Sequence, residues 1–139
     1  MNEKIRNDFD KLLDYSVSTA EHFLKHQKGE FYPFGVYIDK NCEIVPLAIY
    51  EGDEFPLSDT LIEQFNRIFE KQLREGEIMA YCITYDTKVT NDSFPEKIDA
   101  VTTRMRHCDS KDVFVYYFPY KIKGEEIEFF ESFGEIGNS

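Results

Sequence analysis

A chain of 139 residues that carries 27 acidic against 16 basic side chains has a net charge of −11, which argues against general binding to nucleic-acid phosphates or to an anionic membrane surface. The length suits one domain, 1–139, and a domain of this size buries roughly two-thirds of the surface its unfolded chain exposes. Thirteen Phe and nine Tyr, with no Trp, make rings the main core material and place many hydroxyls at the border between core and surface.

In chain order, Met1-Asn2-Glu3-Lys4-Ile5-Arg6 has no apolar run after its charges, and no stretch of about eighteen apolar residues follows anywhere, so a cytoplasmic protein is expected. Ile5, Phe9, Leu12, Leu13, Ser16, Ala20, Phe23 and Leu24 recur at intervals of three and four, the stripe of a helix. Asn2 suits its cap, and Lys28-Gly29 its basic, glycine-terminated end. Residues 31–38 and 43–50 read as a β-hairpin around Asp39-Lys40-Asn41-Cys42, with Pro33 and Pro46 placing at least one of its strands near a sheet edge.

After the acidic loop 51–56, Leu61, Ile62, Phe65, Ile68, Phe69 and Leu73 restore helical spacing up to Gly76. Ser58 or Thr60 suits the cap, Glu63 sits in the capping-box position after Thr60, and Glu63 with Arg67 and Glu70 with Arg74 form four-residue pairs. Residues 78–89, 98–108 and 111–123 then read as a meander, to which 125–133 adds a strand. The expected fold is α+β: a five- or six-stranded antiparallel sheet with two helices on one face, in the order helix, two strands, helix, then three or four strands.

That order resembles roadblock and profilin-like domains, and the resemblance implies helices on one face of an antiparallel sheet. Phe31-Tyr32-Pro33-Phe34-Gly35 and Tyr117-Phe118-Pro119-Tyr120-Lys121 resemble the F-x-P-F-G entry and F-P-Y-K strand of a group of small uncharacterised bacterial α+β proteins, which implies a bacterial source. Neither likeness implies an activity.

No motif calls for catalysis, a cofactor or a metal. His22 and His26 have the spacing to meet one ion, with Asp8 and Tyr15 on the same flank, but a third ligand and the glutamate of a zincin are missing. His107-Cys108-Asp109 has the residue types of a thiol site, yet strand alternation would send neighbouring side chains to opposite faces. Cys42, Cys82 and Cys108 read as reduced and mostly buried. Glu51, Asp53 and Glu54, like Glu125, Glu126, Glu128 and Glu131, read as solvated charges, and the seven glycines form no phosphate-cradling loop.

The strongest functional lead is 113–120. One face of that strand carries Val113, Val115, Tyr117 and Pro119, and the other Phe114, Tyr116, Phe118 and Tyr120, so neither face is suited to water. With helices on one side only, the second side falls to the C-terminal segment with Ile127, Phe129, Phe130 and Phe133, to a second copy, or to a partner. The preceding strand sets Val101, Thr103 and Met105 against Thr102, Arg104 and Arg106. Joining Arg104 and Arg106 to Tyr116, Phe118 and Tyr120 gives an expected partner-binding face with the Arg and Tyr content of interface hot spots. The expected role is a non-enzymatic bacterial protein-binding module, of immunity or chaperone type, for a basic partner. The alternatives are a small-molecule sensor or enzyme with an aromatic pocket between the first helix and the sheet, and a structural homodimer.

Overall fold

The computed structural model describes residues 2–26, 31–47 and 58–138, so the expected helix end at 28–29, residues 48–50 of the hairpin and the acidic loop 51–56 lie outside the described residues. The elements are α1 (Glu3–His26), β1 (Phe34–Asp39), β2 (Ile44–Leu47), α2 (Ser58–Arg74), β3 (Ile78–Val89), β4 (Ile98–His107), β5 (Asp112–Lys123), β6 (Glu126–Phe129) and β7 (Phe133–Asn138). Asn2 Oδ1 accepts the N–H of Ile5 at 2.8 Å, the expected cap of α1. At the β1–β2 turn Asp39 Oδ1 accepts the N–H groups of Asn41 and Glu43 at 2.8 and 3.0 Å. Helix α2 ends at Arg74 and is closed by Gly76, whose φ of +73° lets Glu77 N–H reach back to the Gln72 carbonyl at 2.9 Å.

The strands form one antiparallel sheet in the order β2-β1-β3-β4-β5. Two short strands then share the outer side of β5: β7 pairs with Asp112–Tyr117, and β6 with Tyr120–Lys123. The expected α+β class, two helices and antiparallel pairing are present, with seven strands because the segment 125–133 supplies β6 and a further strand, β7, follows it from Phe133 to Asn138. Pro46 lies in β2 at the sheet edge, where no ladder bond is lost.

The helices lie on opposite faces, which corrects the expectation of one shared face. In β3, Ala80 and Cys82 pack with Ile5, Phe9 and Leu12 of α1, whereas Tyr81 and Ile83 pack with Leu61, Phe65 and Phe69 of α2. Successive side chains of a strand point to opposite sides, so the two sets cannot share a side. Over residues 80–83 the α1 side of β3 carries small residues, Ala80 and Cys82, and the α2 side larger ones, Tyr81 and Ile83.

This arrangement covers the aromatic strand with its own chain. Phe114 joins the α1 cluster, with Tyr116 packed against it. Tyr120 joins Ala20, Leu24 and Phe31, with Phe118 and the β6 residues Ile127 and Phe129 packed around them. The aromatic side of β5 is therefore largely core, shielded by α1 and β6.

Candidate functional site

The register divides the five residues expected to form one binding face. Arg104 pairs across the ladder with Val115, and Thr103 pairs with Tyr116, so Arg104 and Arg106 lie on the α2 side while Tyr116, Phe118 and Tyr120 lie on the α1 side. Tyr120 is buried and donates its hydroxyl to Asp86 Oδ1 at 2.9 Å. Arg106 is committed within the fold: its Nη1 donates to Glu70 Oε1 at 2.5 Å, and Glu70 Oε2 also accepts the Tyr81 hydroxyl. Burial first, and then the Glu70 carboxylate, push Tyr81 far above the ordinary tyrosine range.

Arg104 remains half-buried on a face that α2, packed on β3 and β1, does not cover. The ladder sets Tyr85, Thr102, Tyr117 and Phe133 in one row across β3, β4, β5 and β7, and Ile83, Arg104, Val115 and Glu135 in the next. Tyr117 and Phe133 stack at 5.0 Å between ring centroids and 27° between planes. The Tyr117 hydroxyl donates to Glu135 Oε1 at 2.8 Å. Desolvation, followed by this acceptor, pushes Tyr117 up to about 12, and burial also raises Tyr85. Beside the row, a shallow groove of about 240 Å³ is lined by Asp59, Ile62, Glu63, Asn66, Tyr85 and Arg104. In the sequence Tyr117 stands out only on the Val113 side of its strand and Phe133 only as a covering residue, and Tyr85 and Glu135 are passed over, because only the cross-strand register places all four beside Arg104.

A second cluster lies at the end of β4. His107 is fully buried, and its Nε2 is 2.7 Å from Oδ2 of the buried Asp8. Its Nδ1 accepts the Asp109 N–H at 3.1 Å and lies 3.8 Å from Cys108 Sγ. The expectation that neighbouring side chains here would part is corrected: β4 stops at His107, and the chain turns back through Cys108 and Asp109. Asp8 is thereby tied to His107 and does not serve the His22–His26 flank. Those two histidines are exposed, their rings 4.2 Å apart between centroids, and His26 Nδ1 donates to the His22 carbonyl at 2.8 Å.

Cys42 and Cys108 are exposed and only Cys82 is buried, so the expectation of mostly buried thiols holds for one of the three. Burial pushes the Cys82 thiol up to about 11, and burial together with the neighbouring Asp109 raises that of Cys108. Glu125, Glu126, Glu128 and Glu131 are exposed, as read, while Glu51, Asp53 and Glu54 lie outside the described residues.

Comparison with protein-family models, with known proteins and with solved structures found no match to this chain. Among the described residues no helix is long and apolar enough to cross a membrane.

Proposed function

We propose that the protein is a non-enzymatic protein-binding module of the bacterial cytoplasm, of immunity or chaperone type, and that it engages a basic partner on the sheet face beside α2. One observation carries this reading. The stacked Tyr117–Phe133 pair adjoins Arg104, which has no ion-pair partner among the described residues, on the part of the sheet face that α2 borders without covering. Tyr and Arg held half-desolvated are the residues that dominate binding energy at protein interfaces. Asp59 and Glu63 at the groove and Glu135 beside the stack extend the acidic balance of −11 to this surface. That charge favours encounter with a basic protein, and Arg104 then has a backbone carbonyl or carboxylate of the partner to engage.

The test is affinity capture from extracts of the source organism with the wild type and with an Arg104→Ala/Tyr117→Ala variant of unchanged circular dichroism and melting temperature. The expected result is one basic protein recovered repeatedly by the wild type, more weakly at high salt, and lost from the variant. Equal recovery by both would reject this face. Light scattering on the pure protein distinguishes the homodimer, which would show twice the chain mass and mask the same residues.

A further inference from the structure

We propose that the turn closing β4 is a site for a divalent zinc-like cation, with His107 Nδ1, Cys108 Sγ and the Asp109 carboxylate as ligands and Asp8 as the residue that orients the histidine.

The argument begins with the tautomer. The Asp109 N–H donates to His107 Nδ1, so this nitrogen carries a lone pair and the ring proton resides on Nε2, where the buried Asp8 carboxylate accepts it at 2.7 Å. A histidine that donates one nitrogen to a carboxylate and offers the other is in the form in which metal-binding imidazoles are held. Here the offered nitrogen faces a surface turn that also brings in a thiol and a carboxylate.

The dimensions agree with coordination. Cys108 Sγ is 3.8 Å from His107 Nδ1 and 3.7 Å from Asp109 Oδ1, and Asp109 Oδ2 is 3.9 Å from the same nitrogen. One ligand atom from each of the three residues fits within a mutual spread of 4.8 Å. Zinc bonds of about 2.0–2.3 Å in a tetrahedron set ligand atoms about 3.3–3.6 Å apart. The two carboxylate distances end on different oxygens of Asp109, so closing the triangle on one of them takes a side-chain shift of up to about 1.5 Å, in a turn where two of the three side chains are exposed. Sulfur, imidazole and carboxylate together favour zinc over magnesium or calcium, which take oxygen ligands. On binding, the thiol proton leaves to solvent, the Asp109 N–H exchanges the imidazole for water, and a water molecule fills the fourth position. No electron transfer is involved.

The experiment is calorimetric titration of the full chain with Zn2+, paired with Co2+ substitution read by thiolate-to-cobalt charge-transfer absorption. Wild type, Cys42→Ser and His22→Ala are expected to bind one equivalent each, with the absorption band present. Cys108→Ser should lose the band and weaken binding at least about tenfold, and Asp109→Asn should weaken it with the band retained. Asp8→Asn should also weaken it by about 10–100-fold through the loosened imidazole. Because Asp8 is buried and its variant is at risk of misfolding, the exposed Cys108 decides the matter. Absence of saturable binding by the wild type, or equal affinity and an unchanged band in Cys108→Ser, would overturn the site.

Discussion

Asp8 and His107 are separated by 99 positions in the chain and meet at 2.7 Å between Oδ2 and Nε2. The contact ties the first turns of α1 to the end of β4, inside a region where Phe9 also meets the His107 ring edge-on at 6.0 Å between centroids. Asp8→Ala leaves a fully buried imidazole N–H without its acceptor. The expected loss is about 1.5–3 kcal/mol in urea unfolding, with an unchanged slope against denaturant. A variant as stable as the wild type would mean that the pair contributes nothing to the docking of α1.

At Gly35 two phenyl rings of α2 lie directly against the backbone of β1. A Cβ at this position would lie 2.6 Å from Cε2 of Phe69 and 2.8 Å from Cδ1 of Phe65. Both rings are buried and stacked on one another at 6.0 Å, and Phe69 stacks in turn on Tyr81 at 5.0 Å. Neither ring has free space to retreat into, so Gly35→Ala is expected to destabilise by about 1–3 kcal/mol, measured by thermal or chemical unfolding. A neutral substitution would imply that α2 sits farther from β1 than described.

These two contacts separate what the sequence reveals from what it conceals. Ile5, Phe9 and Leu12, like Leu61, Phe65 and Phe69, are spaced for helices, and local periodicity is sufficient to find both. The side on which each helix lies depends on the strand beneath it. Ala80 and Cys82 alternate with Tyr81 and Ile83, a pattern of two buried faces as clear as that of 113–120, and its small and large sides match one helix each. The composite binding face fails for a finer reason. Whether Arg104 stands opposite Val115 or Tyr116 is decided by the turn from His107 to Asp112, and a slip of one residue transfers every side chain to the other face. The same turn explains the His107 cluster: ending the strand at His107 and not at Cys108 converts diverging neighbours into converging ones.

The thiols offer a direct check on burial. Cys82 lies between Ser16 and Thr84 under α1, fully buried, with its pKa pushed up to about 11 by that burial, whereas Cys42 and Cys108 are exposed. Under native conditions a small alkylating reagent is expected to label two thiols, with the third appearing only on denaturation, as counted by intact mass. Cys108 should label slowly near neutral pH, because desolvation and Asp109 favour its protonated form. Rapid labelling of all three would place Cys82 outside the core.

Alkaline pH should weaken the fold through the tyrosines on the α2 side. Tyr81 is raised chiefly by burial and then by Glu70, Tyr85 by burial, and Tyr117 by desolvation and then Glu135, up to about 12. In the unfolded chain these phenols ionise near 10, while in the folded chain they stay protonated. The unfolded state therefore binds fewer protons above that pH, and stability falls as pH rises. Below about pH 9 their contribution is fully present. Above about pH 10 the fully buried Tyr81 alone is expected to lower stability by up to about 1.4 kcal/mol per pH unit, with a smaller share from the more exposed Tyr117. Urea unfolding followed from pH 8 to 11.5 measures the slope, and Tyr81→Phe separates its origin: the variant should be less stable at pH 8, having lost the hydroxyl bonded to Glu70, yet less sensitive to the rise in pH. A variant with the same alkaline slope as the wild type would assign the loss to other groups.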